Sequence, residues 1–566
     1  MDKLAVDKWV DENAMPYILG PLKTLISYQS ASATHDDIQE NALRKKGIEL
    51  AHNHLLQELA NLNFKTQLVE LEGANPLVVG EYHVGSDKPT ILFYGHYDVQ
   101  GIDDRNAWVV DPFALEIKDG KMIARGIADD KGQMAPHFLA WKYFIGNGGK
   151  LPCNVKVIIE GNEESSSKNI RGIVPLDEYI MNHKDELACD AVMISDTSTP
   201  LTGIPAITTS VKGIIKVNAA AATPEDLVNF LDRSHDWLNN RVNYPDFYNG
   251  LKIPQIEPEL EKRLDDAFLK EEGLGVLKPE TGLSNVMHAN FRPTHDPLHI
   301  YYVNDNPIGT GLTIKLTTSG PEGSTKHSGV FGGPVINPGL LLAHTLAELK
   351  KRGIDFKIDY FDYGSSTGDT KIYPNGYAQI TITNTPALSF VDQIIAETYK
   401  DAGLDEYRER LLNVDEVKER RTYLSDMQKA NPVAILSHRI VEGQDPENVY
   451  KSMLKFAESE NLAVELKSIL GANAYSSDTA NPIHKSVKEA MKIGYNVESI
   501  ETGTGGSIPV VDAFSKNLNV PVIFAGFAEP GEKIHEANEE LSLNVFYAAT
   551  RSMIHAYDAI GKLRLN

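Results

Sequence analysis

The sequence predicts an α/β protein whose mixed, partly parallel sheet is flanked by helices and is interrupted by a second, α+β segment. Three observations lead there. Short apolar runs bounded by turns recur early in the chain, as in 76-PLVVGEYHV-84, 90-TILFYGHYDV-99, 155-VKVIIEG-161 and 190-DAVMISD-196. Continuous apolar runs of this length suit strands covered on both faces. A helical pattern over residues 131–146 lies between the second and third runs. The alternation then returns near the end, where a helix at 484–494 precedes 520-VPVIFAGF-527 and a last helix spans 541–561. The first and last parts therefore read as one α/β layer split by a long middle.

Taken in order, the opening stretch is helical, with Ala42, Leu43, Ile48, Leu50, Ala51, Leu55, Leu56 and Leu59 at helical spacing. The four early β-runs and the 131–146 helix follow. In the middle, 310-TGLTIKLTTSG-320 and 376-GYAQITITN-384 are strand-like. Residues 337-NPGLLLAHTLAELKK-351 predict a helix with Asn337 as N-cap and Pro338 in the first position. Between about 222 and 308, helical patterns (223-TPEDLVNFLDRS-234, 257-EPELEKRLDDAFLKEEG-273) mix with turn-rich stretches. No internal repeat or low-complexity tract is present in the sequence.

The 566 residues exceed one ordinary domain, which sets an expectation of two or three units. With 55 basic against 78 acidic residues the net charge is −23, which argues against nucleic acid or an anionic membrane as partner. No run of apolar residues is long enough for a membrane span. The two cysteines, Cys153 and Cys189, cannot build a disulfide framework, and the opening residues carry early acids with no apolar core of a signal peptide. A cytoplasmic location is the expectation.

Chemistry-bearing residues collect where the β-runs end. The second run closes on His96-Tyr97-Asp98, an imidazole and a carboxylate two positions apart and hence on one side of a strand. A metal-bound histidine usually gives its other ring nitrogen to such an acceptor, although the pair alone also fits a structural role. In 124-ARGIADDKGQ-133, Asp129 and Asp130 stand at the mouth of a helix. One carboxylate there can bridge two cations, or either acid can instead cap the helix. In 160-EGNEESSS-167, Glu163 and Glu164 follow a strand directly and can divide metal binding from proton transfer, or form an exposed acidic loop. Asp196 closes the fourth run, and His535 sits in 531-GEKIHEANEE-540 after the last one. Two histidines and three carboxylates at the strand ends of an open sheet make a suitable set for two Zn²⁺ or Mn²⁺ ions.

The ordered set GHYDVQ, ARGIADDKG, EGNEESSS, ISD, HSGVFGG, GGSIPV and the late histidine resembles the M20 family of metallopeptidases, its dipeptidase branch most of all. The likeness runs through nearly the whole chain. It implies that His96, Asp129 and Asp196 hold one metal ion and Asp129, Glu164 and His535 the other, with Asp129 bridging. It further implies that Asp98 orients His96 and that Glu163 is the general base. His327, in 326-KHSGVFGG-333, matches a histidine that reaches the partner subunit's site in relatives and stabilises the oxyanion, so a homodimer is implied. Arg439, in 438-HRIVEGQDPE-447, matches an arginine that binds the substrate carboxylate, and Gly505, Gly506 and Ser507 match a stretch where backbone approaches substrate.

The resemblance therefore implies a catalytic domain from 1–207 and 480–566, with a lid or dimerisation domain over 208–479. The Asp196-to-His327 interval is longer than in relatives, so residues 222–308 read as an insertion. Two positions depart from the family's spelling: Ser166 stands where many relatives have glycine, and Thr504 where dipeptidases usually have an acid. The implied reaction is hydrolysis of the amide bond in a dipeptide or similar small peptide. Deacylation of an N-acyl amino acid is the alternative, and a non-catalytic binding protein the remote one.

Overall fold

The computed structural model describes residues 1–33, 38–102, 105–165, 173–199, 202–239, 298–303, 312–318, 338–362, 376–382, 433–440, 445–503, 507–529 and 531–564. The chain divides into two compact units, one from Met1–Lys212 with Ala474–Asn566 and the other from Gly213–Asn473.

The first unit opens with helices α1 (Lys3–Tyr17), α2 (Lys23–Ile26) and α3 (Ile38–Asn61). Its strands are β1 (Lys65–Val69), β2 (Leu77–Tyr82), β3 (Thr90–His96), β4 (Glu116–Lys118), β5 (Lys121–Ile123), β6 (Asn154–Glu160), β7 (Ala191–Ile194) and β8 (Ala206–Val211). Helices α4 (Lys131–Gly148) and α5 (Pro175–Asn182) lie between them in sequence.

The second unit contributes β9 (Gly213–Ala221), α6 (Pro224–Asn239), β10 (Leu298–Val303), β11 (Leu312–Thr318), β12 (Phe356–Asp362), β13 (Gly376–Ile382), β14 (Val433–Ile440) and β15 (Val464–Ala472). The chain then returns to the first unit with β16 (Tyr475–Ser476), β17 (Ile500–Gly503), β18 (Val522–Phe524) and β19 (Glu540–Ser542), and its long last helix is Leu543–Ile560.

In the first unit the large sheet runs β1-β2-β6-β3-β7-β18-β8-β16, with β17 beside β8. At its centre β3 is parallel to both β6 and β7, and β18 is parallel to β7, whereas β1, β2 and β16 pair antiparallel. The sheet is mixed, as the sequence implies. Side chains alternate between two cores. Ile91 and Phe93 of β3, Val155, Val157 and Ile159 of β6, and Ile523 of β18 pack with α3, α4 and the last helix. Leu92 and Tyr94, Ile158, and Val522 and Phe524 face the opposite side, with Leu176 and Ile180 of α5 and Phe514. Burial on both faces is why these strands read as unbroken apolar runs. The unit ends after Lys212 and resumes at Ala474, against the expected end at 207 and resumption at 480. The shift arises because β8 is held in the large sheet by β16, β17 and β18.

Among the described residues, the second unit holds two antiparallel sheets, β10-β11-β13-β12 and β14-β9-β15. Strand β10 falls inside the 222–308 stretch that the sequence reads as helical and turn-rich. Its register with β11 runs from Leu298↔Thr318 to Val303↔Thr313. Six residues rich in aromatic and branched side chains pair there without an alternating apolar pattern to announce them. The expected helix at 257–273 and the Asn337 cap lie outside the described residues.

Candidate metal centre

The parallel trio β6-β3-β7 sets the site, because its strands end side by side. His96 is the last residue of β3, Glu163 and Glu164 follow β6, and Asp196 follows β7. Asp129 precedes α4, and His535 lies in the loop after β18 with its backbone in the left-handed region (φ 65°). Residues distant in sequence therefore meet at the strand ends of an open sheet, where such folds place ligands.

Asp129 sits between the two histidines. Its Oδ1 is 2.9 Å from His96 Nε2, and its Oδ2 is 2.8 Å from His535 Nε2. His96 Nε2 also lies 3.8 Å from Asp196 Oδ2, and His535 Nε2 lies 3.1 Å from Glu164 Oε2. The ligand-type atoms of His96, Asp129 and Asp196 all fall within 4.8 Å of one another, as do those of Asp129, Glu164 and His535.

Asp98 does more than accompany His96. His96 Nδ1 is 3.1 Å from the Asp98 carbonyl oxygen and 3.4 Å from its Oδ1. The same carboxylate accepts the backbone N–H groups of Glu163 (3.3 Å) and Glu164 (3.1 Å), so it also shapes the acidic loop. Gln100, in the quoted GHYDVQ run, donates from Nε2 to Glu164 Oε2 at 2.8 Å. The helix-cap reading of Asp130 fails. Its side chain makes no bond to the first turn of α4, and its Oδ2 instead accepts from His96 N at 3.2 Å.

Electrostatics follow from crowding acids in a dry place. Burial, with Glu164, Asp129 and Glu160 nearby, pushes the Glu163 carboxyl up to about 8 against the opposing pull of His96. Burial and then the Asp129 charge raise Asp196 as well. Burial alone would lower both imidazoles, yet the carboxylates around them win and hold His96 and His535 well above the ordinary histidine value. Asp129 is held well below the usual carboxylate range because the two imidazoles outweigh its burial.

The donor set fits a pair of divalent cations. Two imidazoles and three carboxylates are ligands for Zn²⁺ or Mn²⁺, and a carboxylate facing two ways suits a bridge. Glu164 Oε1 is buried with no hydrogen-bond partner among the described residues, which is costly unless something else meets it.

Of the other sequence-derived site residues, His327, Gly505 and Gly506 lie outside the described residues, as do Ser166 and Thr504. Arg439 belongs to β14, paired with Ile214 of β9. Ser507 is half-buried, just ahead of the helix Val510–Leu518. Both cysteines are free, and no helix among the described residues is long and apolar enough to cross a membrane.

Comparison with known proteins adds four findings. A family model described as peptidase family M20/M25/M40 matches residues 92–559. The chain is 35% identical over 140 residues to the Beta-Ala-His dipeptidase of Mus musculus, a stretch covering 24% of this chain and 27% of that one. It is 29% identical over 236 residues to the Cys-Gly metallodipeptidase dug1 of Schizosaccharomyces pombe, covering 40% and 46%. The matched stretches thus span less than half the length of these relatives. The solved structure of human carnosine dipeptidase 1 superposes with a TM-score of 0.57 at 16% identity, covering 99% of each chain, and so shares the fold.

Proposed function

This chain belongs to the peptidase family M20/M25/M40, and on that premise we propose that it is a two-metal dipeptidase acting on dipeptides or similar small peptides. The observation that carries the reading is the Asp129 carboxylate, with one oxygen 2.9 Å from His96 and the other 2.8 Å from His535. In this reading His96, Asp129 and Asp196 hold one ion, and Asp129, Glu164 and His535 hold the other. The names of the mouse and fission-yeast relatives, both dipeptidases, support the substrate class.

Two Zn²⁺ or Mn²⁺ ions at these residues supply Lewis-acid polarisation of the scissile carbonyl and ease loss of a proton from the attacking water. The chain's own groups do the rest. Asp98 fixes His96 from its Nδ1 side and holds the Glu163–Glu164 backbone by two hydrogen bonds. Glu163 takes the proton of the attacking water and returns it to the departing amine nitrogen. Its carboxyl, pushed up toward neutrality, is suited to both transfers. His327, from the partner chain of a homodimer, donates to the oxyanion, and Arg439 binds the substrate carboxylate through its planar fork. Gly505, Gly506 and Ser507 line the approach of substrate to backbone. The unit Gly213–Asn473 serves as lid and dimerisation domain, with 222–308 as an insertion into it. We place the enzyme in the cytoplasm.

The test is a hydrolysis panel of free dipeptides beside N-acetyl and N-succinyl amino acids, with protein stripped of metal and reloaded with Zn²⁺ or Mn²⁺. Metal-dependent cleavage of the dipeptides supports the proposal. Cleavage of the acylated amino acids alone overturns the substrate class in favour of a deacylase. No cleavage with both ions bound overturns the catalytic reading.

A further inference from the structure

Glu539 lies four positions beyond His535, in the same loop, and is fully buried. An ionised carboxylate in such a place is costly unless it is paired and hydrogen-bonded. Here every part of it is used. Its Oε2 accepts from Arg125 Nη1 at 2.7 Å and from Gly126 N at 3.0 Å, and its Oε1 accepts from Ala128 N at 2.8 Å and Asp129 N at 3.1 Å. The Glu539 carbonyl oxygen accepts from Ala124 N at 3.0 Å.

These donors come from one segment, residues 124–129, which has no regular secondary structure and ends on the carboxylate that faces both histidines. Three backbone N–H groups wrapped around an anion make a turn whose shape depends on that anion. The structure assigns Glu539 as a positioning residue: it ties the Asp129 loop to the His535 loop and so sets the aim of the shared carboxylate. This rests on the reading of Asp129 as the bridge between two ions.

The four donors call for a side chain whose two oxygens both accept. A glutamine at 539 keeps one acceptor oxygen, but its amide nitrogen then faces N–H groups that need an acceptor. The loop must shift, and Asp129 shifts with it. Loss of a group that orients a ligand typically costs 10–100-fold in metal affinity. Because Asp129 is shared, both ions should weaken together.

The test uses the full-length protein, stripped of metal and titrated with Zn²⁺ against a chromophoric chelator. Wild type, Glu539→Gln and Asp129→Asn are compared, and the near-ultraviolet circular dichroism of each metal-free protein checks that it is folded. A folded Glu539→Gln that binds both ions about 10–100-fold more weakly supports the assignment. Wild-type affinity in that variant overturns it, provided that Asp129→Asn is impaired. If Asp129→Asn also binds both ions normally, the bridging reading itself has failed. Hydrogen exchange of metal-free wild type supplies a second readout that requires no folded variant. Slow exchange at the amides of Gly126, Ala128 and Asp129 is expected, and free exchange there overturns the assignment.

Discussion

If Glu163 is the general base as proposed, replacing it by glutamine should separate proton transfer from metal binding. The two side chains have nearly the same shape, but the amide cannot take a proton from water at neutral pH. The neighbourhood should survive, because Asp98 grips the loop through the backbone N–H groups of residues 163 and 164 at 3.3 and 3.1 Å, untouched by the change. Glu164 therefore keeps its place 3.1 Å from His535. A positioned general base contributes about 10²–10⁴-fold, or roughly 3–5 kcal/mol of barrier. The upper half of that range is expected here, since burial lifts Glu163 to about 8, close to the working pH. Bound cations draw that value down, so the acid limb of the wild-type pH–rate profile should fall between the carboxyl's ordinary value of 4.5 and about 8. Activity is lost as pH falls through it, because the base must be deprotonated. The assay is steady-state dipeptide hydrolysis beside metal content by mass spectrometry. We expect kcat and kcat/KM to drop together with two ions retained. Retained turnover within tenfold of wild type, or metal lost in parallel with activity, refutes the reasoning.

Two further outcomes follow from the electrostatics. Without metal, the surrounding carboxylates hold His96 and His535 well above the ordinary histidine value, which favours ring protons that cations bound as proposed would displace. Metal loading should release protons and tighten as pH rises, measured by titration calorimetry in buffers of different ionisation enthalpy; binding without proton release contradicts this. In the second unit, His344 Nδ1 lies 2.6 Å from Asp232 Oδ1, and this hydrogen bond raises the imidazole despite its partial burial. Its contribution to stability is full below the unfolded histidine value near 6.5 and fades as pH climbs through the folded one. The gap in melting temperature between wild type and His344→Gln should therefore be wider at about pH 6 than at about pH 8.5. An unchanged gap would show that the pair contributes nothing.

What the sequence made legible has a physical basis. Strands β3, β6 and β7 are covered on both faces, so their apolar runs and the residues that terminate them stand out without any structure. Long helices such as Leu543–Ile560 declare themselves by period. Strand β10 of the second unit carries no such run and falls in the 222–308 stretch that reads as helical and turn-rich, and the apolar run of β14 is too short to stand out. The supporting residues were hidden for a different reason. Asp98 was visible beside His96, but its grip on the Glu163–Glu164 backbone is a contact across 65 positions of chain. Glu539 was one acid among several in a quoted loop, and its donors lie more than 400 positions earlier. Spacing along the chain cannot reveal pairs that only folding brings together.

The central claim is a pair of metal ions sharing the Asp129 carboxylate. The most direct measurement is an anomalous difference map from crystals of the zinc-loaded protein, collected at the zinc edge. The account predicts two peaks about 3.5–4 Å apart, one against His96 and Asp196, the other against Glu164 and His535, with Asp129 touching both. A single peak, or two that do not share Asp129, would contradict it.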